Sequence, residues 1–250
     1  MQLQLSTWAD VEAYLTRSTG IIIPIGSTEQ HGPNGFIGTD ALCPEIVAGG
    51  VAEEIEVMVA PTIAVGMAQH HLAFPGSMTL RPSTLIAVIV DQINSLTLHG
   101  FDRFFLLNGH GGNIATASAA FSEIYAQSSL QASPSNRKPV RCQLKNWWHS
   151  AAVKALSAEM FGDAEGGHAT PSEVSLTYFG YPDHIPAATE MDPPIAPKGP
   201  IYDAADYRRR FADGRIGSNP GLASVEAGRR LFEASVADVV QSYNDFLAAD

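Results

Sequence analysis

The fold of this chain is decided by a stretch that reads Ile21-Ile22-Ile23-Pro24-Ile25 and continues as Gly26-Ser27-Thr28-Glu29-Gln30-His31-Gly32. The first five residues are apolar and mostly β-branched, and turn-forming residues bound them, which predicts a short buried strand. Glu29 and His31 therefore follow the carboxyl end of a strand. In an open α/β sheet, ligands bind at that edge.

A second carboxylate follows shortly, in Thr39-Asp40. Two carboxylates and an imidazole at one strand terminus can bind a divalent metal ion, so Glu29, His31 and Asp40 are candidate ligands. Each residue also has an ordinary structural explanation. Glu29 could be a solvated loop carboxylate, His31 a loop histidine bonded to the backbone, and Asp40 the N-cap of the helix that follows.

Strands and helices alternate along the whole chain. Apolar runs predict strands at residues 21–25, 56–61, 104–107 and 140–148. Helical spacing and capping signals predict helices over residues 8–17, 40–51, 82–99, 114–129, 151–161 and 223–248, and one more that begins near residue 171. This order predicts an α/β fold with a parallel sheet and helices on both of its faces.

No internal repeat or domain linker interrupts this alternation, so residues 1–250 are predicted to form a single domain. Ser133-Pro134-Ser135-Asn136 is predicted to be a loop. The stretch from Tyr181 to Tyr202 is rich in proline and has no period, which predicts a long surface loop. Loops of that length inside compact domains are uncommon and often functional.

The composition is that of a globular protein: of 250 residues, 45% are hydrophobic and 16% charged. The formal net charge of −11 argues against a nucleic-acid partner and against an anionic membrane surface. Cys43 and Cys142 are the only cysteines, which indicates a reducing compartment. Because neither a signal sequence nor a membrane-spanning run is recognisable, we expect a soluble, cytoplasmic protein without a membrane partner.

A second motif, Asn108-Gly109-His110-Gly111-Gly112-Asn113, follows the apolar run Phe104-Phe105-Leu106-Leu107. Its glycines let the backbone bend and approach a ligand closely. Glycine-rich turns of this kind also bind phosphate. The motif lacks a Walker lysine and does not have the dinucleotide spacing, so His110 as a metal ligand is the better interpretation.

His168 and Glu173 form a third candidate cluster. Thr170-Pro171-Ser172-Glu173 is a capping box with proline at the first helical position, which explains Glu173 without any ligand. The functional alternative is that Glu173 binds a metal ion and His168 transfers protons.

Other residues could form the walls of a pocket at the same edge of the sheet. His70 and His71 precede the rigid turn Phe74-Pro75-Gly76, and either histidine could contact the site. Trp147 and Trp148 follow the fourth predicted strand. We expect Trp147 in the core and Trp148 beside the substrate.

These motifs together resemble the creatininase (creatinine amidohydrolase) family over nearly the whole chain. The motifs that carry the resemblance are Gly26-Ser27-Thr28-Glu29-Gln30-His31-Gly32, Thr39-Asp40, Phe74-Pro75-Gly76, Asn108-Gly109-His110-Gly111-Gly112-Asn113, and Gly167-His168-Ala169 with Glu173. The resemblance implies a three-layer α/β/α sandwich with a mostly parallel sheet. It also implies a homohexamer and a binuclear site for zinc or manganese, sometimes iron, of which zinc is our first expectation.

Carried over residue by residue, the resemblance assigns Glu29 and His110 to one metal ion and His31 to the other. Asp40 would bridge the two ions. His168 matches the catalytic histidine of the family.

The chain departs from the creatinine-cleaving members at one motif. Those members follow Asn-Gly-His with Tyr-Glu, and that glutamate is a metal ligand, whereas this chain has Gly111 and Gly112. Since glycine has no side chain to offer, the second ion needs another carboxylate, and Glu173 is the obvious candidate. Creatinine itself becomes the least favoured substrate.

We therefore expect a metal-dependent amidohydrolase that cleaves a C–N bond in a small-molecule amide or a small peptide. His71, Trp148 and Gly111 are the predicted substrate-binding residues. One alternative is a catalytically silent, metal-binding oligomer of the same fold. Another is a phosphate- or nucleotide-binding domain, which rests only on the glycine-rich loop after Leu107.

Overall fold

The structure is a computed structural model, and it describes residues 1–130 and 139–249. In this part of the chain, four parallel strands form one sheet in the order β2-β1-β3-β4. The strands are β1 (Gly20–Ile25), β2 (Met58–Val59), β3 (Arg103–Asn108) and β4 (Arg141–Asn146). The predicted loop Ser133–Asn136 lies outside the described residues.

Helices cover both faces of the sheet. They are α1 (Trp8–Leu15), α2 (Thr39–Ile55), α3 (Pro82–His99), α4 (Asn113–Ser129), α5 (Ala151–Phe161), α6 (Pro171–Gly180), α7 (Ala204–Arg210) and α8 (Val225–Ala248). Helices α2, α5, α6 and α8 share one apolar cluster with the sheet, and α1, α3 and α4 share another. The predicted three-layer α/β/α sandwich is confirmed.

The central strands are apolar on both faces, because each face is covered by helices. Along β1, Ile22 packs into the cluster with α2 and α8, whereas Ile21 and Ile23 pack into the cluster with α3 and α4. Residues Phe104 and Phe105 of β3 divide in the same way. This explains why these strands read as continuous apolar runs.

The strand register brings the functional loops together. Ile25 pairs with Asn108, and Asn108 pairs with Asn146, so three strands end at the same level of the sheet. Glycines then let two loops reach the first turn of α2. A Cβ atom at Gly26 or Gly109 would lie 2.0 Å or 1.9 Å from the carbonyl oxygen of Asp40.

Some predicted element bounds were wrong. The second strand is only Met58–Val59, because Glu56 has a positive φ of 52° as the C-cap of α2. The fourth strand ends at Asn146, and Trp147–His149 form a 3-10 turn instead. Helix α7 was not predicted, although Asp203 at its N-cap accepts a hydrogen bond from the backbone of Asp206.

Other local predictions are confirmed. Pro82 begins α3, and Gly100 ends it with a positive φ of 114°. The stretch from Tyr181 to Tyr202 contains only a short 3-10 turn, Pro182–His184. Within residues 1–130 and 139–249, none of the helices combines the length and the apolar character needed to cross a membrane.

Candidate metal centre

A cavity of about 440 Å³ opens at the carboxyl edge of the sheet, above the ends of β1 and β3. Most predicted site residues line it, together with both histidines of the 69–71 turn and the end of the proline-rich loop. The lining residues are Glu29, Asp40, Met67, Gln69, His70, His71, Gly109, His110, Gly111, Gly112, Trp148, Gly167, His168, Glu173, Ile201 and Tyr202.

Asp40 lies between two imidazoles that come from two different loops. Its Oδ1 is 3.0 Å from Nε2 of His31, and its Oδ2 is 2.8 Å from Nδ1 of His110. Although burial alone would raise the pKa of Asp40, the two imidazoles outweigh burial and hold it well below its usual range. The carboxylate is therefore ionised, and each of its oxygens faces a separate group of side chains.

Glu29 is fully buried, and neither of its carboxylate oxygens accepts a hydrogen bond from the described residues. Three imidazole nitrogens nevertheless lie near it, at 2.9 Å (His71), 3.4 Å (His110) and 3.8 Å (His168). Burial raises the pKa of Glu29. A buried carboxylate without hydrogen bonds is costly unless a cation balances it.

The two imidazoles beside Asp40 respond to the surrounding carboxylates. Burial lowers the pKa of His31, but Asp40 outweighs burial and raises it to about 10. In the same way, Glu29 and Asp40 outweigh burial at His110 and raise its pKa to about 9. The site thus has an excess of negative charge, which protons balance here and which metal ions could balance instead.

Glu173 caps helix α6 and also lies beside a candidate metal ligand, His31. Its Oε1 accepts a hydrogen bond of 2.6 Å from the backbone nitrogen of Thr170, which completes the predicted capping box. The same oxygen lies 3.9 Å from Nε2 of His31. Burial raises the pKa of Glu173 to about 7. Capping therefore does not exclude binding to a metal ion.

The donor set fits divalent metal ions. Ligand atoms of Glu29, Asp40 and His110 lie within 4.8 Å of one another, and so do those of His31, Asp40 and Glu173. The two groups share Asp40. Both oxygens of Glu29 are buried and accept no hydrogen bond from the described residues, so they are available to a cation. The ligand atoms of two further groups also lie within 4.8 Å of one another. These groups are Glu29 with His31 and His168, and Glu29 with His70 and His71.

His168 is held in place by a strained but well-bonded segment. Its carbonyl oxygen accepts hydrogen bonds from Ser218 Oγ (2.6 Å) and from the backbone nitrogen of Ile216 (3.3 Å). Ala169, the next residue, has a positive φ of 52°. Such conformations persist only where the surroundings determine them, and they are frequent at functional sites. The ring centroid of His168 lies 4.6 Å from that of His31.

Trp147 and Trp148 occupy the different positions that were predicted for them. Trp147 is 2% exposed and belongs to the core, whereas Trp148 lines the cavity. A Cβ atom at Gly111 would meet nothing within 4 Å, so this position leaves space for a substrate. A Cβ atom at Gly112 would lie 2.4 Å from Nε2 of His110, so a side chain there would displace that imidazole.

The match to a known family covers almost the entire sequence. The family described as creatininase, creatinine amidohydrolase, matches residues 4–243.

The chain belongs to the creatininase family.

Relatives within the creatininase family act on different compounds, to judge by their names. Creatinine amidohydrolase from Pseudomonas putida is 28% identical over 96% of this chain and 94% of the relative. A 3-dehydro-scyllo-inosose hydrolase from Thermotoga maritima is 30% identical over 87% of this chain and 70% of the relative. A mycofactocin precursor peptide peptidase from Mycolicibacterium smegmatis is 35% identical over 40% of this chain and 42% of the relative. Family membership therefore supports a hydrolase and leaves its substrate open.

Solved structures of creatininases share the fold. A tryptophan-to-phenylalanine mutant creatininase, Type II, covers 99% of both chains with a TM-score of 0.86 and 25% identity. Two further structures, described as creatininase Mn and as a glutamate-to-glutamine mutant creatininase of Zn-Zn type, each have a TM-score of 0.80 and 24% identity and cover 99% of this chain. The matched region is 99% of the creatininase Mn chain and 98% of the Zn-Zn chain.

Sequence reasoning missed two residues that support the site of this creatininase-family chain. Gln30 is buried, with its amide nitrogen 2.9 Å from both Nδ1 of His71 and Nε2 of His168. Tyr207 packs its ring against His71 at 4.7 Å between centroids. The cap at Asp203 was a usable signal for the helix that carries Tyr207. No local pattern indicates which way the side chain of Gln30 points.

Proposed function

We propose that this chain is a metal-dependent amidohydrolase that cleaves a C–N bond in a small amide with the help of two divalent ions. The position of Asp40 carries the proposal, since its oxygens lie 3.0 Å and 2.8 Å from imidazoles on two loops. A carboxylate in such a position suits a bridge between two ions, which two-metal hydrolases hold about 3.5–4 Å apart.

Glu29 and His110 would hold one ion, His31 and Glu173 would hold the other, and Asp40 would contact both. Zinc remains the first expectation, and manganese or iron stay possible because imidazole and carboxylate ligands suit all three. Structures of family members described as Mn and Zn-Zn forms support this choice. When bound, two such ions acidify a water molecule and polarise a carbonyl group.

His168 is the proposed proton carrier. Its Nε2 lies 2.8 Å from the carbonyl oxygen of Gln30 and 2.9 Å from the side-chain amide nitrogen of the same residue, so Gln30 holds this side of the ring in place. The other nitrogen, Nδ1, lies 3.8 Å from Glu29. Burial and the nearby imidazoles lower the pKa of His168 well below its usual value. A neutral imidazole can take a proton at Nδ1 and pass it to the leaving nitrogen.

The cavity favours a small and uncharged amide. Its volume of about 440 Å³ suits a small molecule or the end of a short peptide. Trp148 and Tyr202 offer apolar walls, and Gly111 leaves room beside the candidate ligands. The described lining residues include neither lysine nor arginine, the side chains that usually pair with a substrate carboxylate. We favour a formamide or another small amide over creatinine.

The cellular compartment, the oligomeric state and the partners are proposed from the sequence. We expect the protein to work in the cytoplasm, because its cysteine usage suits a reducing compartment. By resemblance to the family we expect a homo-oligomer, a hexamer. Neither a nucleic acid nor a membrane is an expected partner.

The test combines metal analysis with a substrate panel. Protein loaded with zinc or manganese should contain two ions per chain and should hydrolyse at least one neutral amide among N-substituted formamides, cyclic amides and short peptides. Chelation should abolish turnover, and the metal should restore it. Two bound ions without turnover of any amide would favour the catalytically silent oligomer. Nucleotide binding by metal-free protein would favour the phosphate-binding alternative.

A pair of variants separates the two roles of Glu173. Glu173→Gln keeps a capping-box side chain at this position, but it removes the charge, so we expect one bound ion instead of two and a loss of turnover. Thr170→Ala removes the cap and leaves the carboxylate, so we expect both ions to remain and the free energy of unfolding to fall by about 1 kcal/mol. Elemental analysis and thermal melts measure both effects. Two ions in Glu173→Gln would show that Glu173 is only a cap.

A further inference from the structure

Asn113 ends the glycine-rich motif that begins at Asn108, and its side chain is fully buried where three loops meet. Its amide oxygen lies 3.1 Å from the backbone nitrogen of Met67, in the loop after β2. Its amide nitrogen lies 3.0 Å from the carbonyl oxygen of Gly26, in the loop after β1, and 3.3 Å from Oδ1 of Asn108, at the end of β3. One carboxamide therefore joins the loops that follow three neighbouring strands.

Backbone groups determine the orientation of this carboxamide. The N–H group of Met67 can only donate a hydrogen bond, so the atom beside it is the amide oxygen of Asn113. The carbonyl group of Gly26 can only accept, so the atom beside it is the amide nitrogen. Because these two partners are backbone groups, the orientation is independent of any tautomer or protonation state.

The orientation of Asn108 is determined in the same way. Its Oδ1 accepts a hydrogen bond of 3.1 Å from the backbone nitrogen of His110, and its amide nitrogen donates one of 2.7 Å to the carbonyl oxygen of His110. The same Oδ1 accepts the second hydrogen of the Asn113 amide. Asn108 therefore holds the backbone of His110, and Asn113 connects Asn108 to the other two loops.

The space around the Asn113 side chain is filled. A Cβ atom at Gly66 would lie 2.4 Å from Oδ1 of Asn113 and 2.5 Å from the carbonyl oxygen of Gly26. Without Asn113, the N–H group of Met67 and the carbonyl group of Gly26 would lose this shared partner. Unpaired polar groups inside a protein are costly, so we expect the loops to separate and admit water.

The three loops carry or contact two residues that are proposed to bind one metal ion. Glu29 follows Gly26 closely in the first loop, and His110 follows Asn108 closely in the third. The ring of His110 also contacts the second loop, since its Nε2 lies 3.0 Å from the carbonyl oxygen of Met67. The separation of Glu29 and His110 therefore depends on how the three loops are held relative to one another.

We propose that Asn113 is a positioning residue, whose carboxamide joins the loops after β1, β2 and β3 and so holds Glu29 and His110 in place to bind one metal ion together. The inference rests on the proposed function only in that these two residues are ligands of one ion. Asn113 itself is not a ligand, and it acts through the backbone of the three loops. Loss of residues that orient metal ligands typically weakens metal binding by about 10–100-fold.

Amide hydrogen exchange of the metal-free protein tests whether Asn113 joins the loops. Asn113→Leu introduces a side chain of similar size that can neither accept nor donate a hydrogen bond. We expect the amide of Met67 to exchange about tenfold faster in this variant, because it loses its acceptor. Asn113→Ala should give the same result if leucine prevents folding. Unchanged exchange at Met67 in a folded variant would overturn the proposal.

Zinc affinity, measured by competition with a chelator, tests the effect on the metal ligands. Asn113→Leu and Asn113→Ala should each weaken zinc binding by about 10–100-fold. Ile93→Ala is the control for stability, because Ile93 of α3 is fully buried in an apolar cluster. It should lower the melting temperature and leave zinc affinity unchanged. Asn244→Leu makes the same substitution at an exposed position of α8 and should change neither quantity.

The outcomes separate this inference from the proposed function. If the Asn113 variants melt at a lower temperature but bind zinc as tightly as the wild type, Asn113 is only structural and the positioning role is excluded. A wild-type protein that binds no zinc would contradict the proposed function, and the positioning role with it. A wild-type protein that binds zinc, with variants equal to it, would contradict the positioning role alone.

Discussion

Replacing Asp40 by alanine is expected to remove both metal ions and to reduce amide hydrolysis to the uncatalysed rate. Asp40 belongs to both three-residue groups, Glu29 with His110 and His31 with Glu173, whose ligand atoms lie within 4.8 Å of one another. Without it, each ion would keep two protein ligands, fewer than the three or four that zinc usually has in proteins. Elemental analysis of protein dialysed against zinc and assays of the most active amide measure the two effects.

A second variant distinguishes the loss of metal ligands from unfolding of the protein. Asp40→Asn keeps the shape of the side chain at the start of α2 and loses only the charge, so it should also lose metal and activity while retaining the helical content. Asp91→Asn, at an exposed position of α3, is the matched control and should behave like the wild type. If Asp40→Ala retained two ions per chain, the bridging assignment would be wrong.

Replacing His168 by alanine is expected to leave both ions bound and to slow turnover about 10²–10⁴-fold, the usual contribution of a general acid–base group. His168 lines the cavity, where its ring can exchange protons with a bound substrate, and its Nδ1 lies 3.8 Å from Glu29. Because the proposed ligand set does not include His168, metal content should not change. The loss should appear mainly in kcat.

The metal content of this variant distinguishes a proton carrier from a metal ligand. The distinction is needed because ligand atoms of His168, Glu29 and His31 also lie within 4.8 Å of one another. A variant that loses one ion would show that His168 binds metal, and a variant with native turnover would exclude it as the proton carrier. His99→Ala, at the exposed end of α3, removes a histidine far from the site and should change neither quantity.

The loops of the candidate site could be located from the sequence because strand ends are local signals. Each of two apolar runs ends in a glycine-rich segment that carries a polar residue, Glu29 in one and His110 in the other. Parallel strands place such ends at one edge of the sheet, and the register of β1 and β3 bears this out. The sequence thus supplied the neighbourhood of these residues before any distance was known.

The role of Glu173 shows where local reasoning ends. The capping box accounts fully for a glutamate at that position, and it is present in the structure. Only the packing of α6 against α2 brings the same carboxylate to 3.9 Å from His31. A local pattern cannot report this second contact, because it joins residues far apart in the chain.

The bounds that were predicted wrongly have a similar origin. Trp147 looks like the end of a strand because it is large and apolar, yet it turns into the core beside β4 and leaves Trp148 at the cavity. Helix α7 is short, and Tyr207 within it and Phe211 just after its end pack with Phe74. Seven residues are too few for a reliable helical period.

Taken by itself, the sequence determined the layer order of the fold, the edge of the sheet that carries the site and the kinds of side chain available there. These features depend on apolar runs and turn residues, whose effects act over a few positions. Only the tertiary structure decided that the stretch from Gly26 to Gly32 has two chemical faces. Glu29 lines the cavity and His31 faces Asp40, while Gln30 faces His71 and Gly214, more than 40 and 180 residues away. Side-chain direction in a loop depends on such distant partners, because a loop has no repeating geometry that would set it in advance.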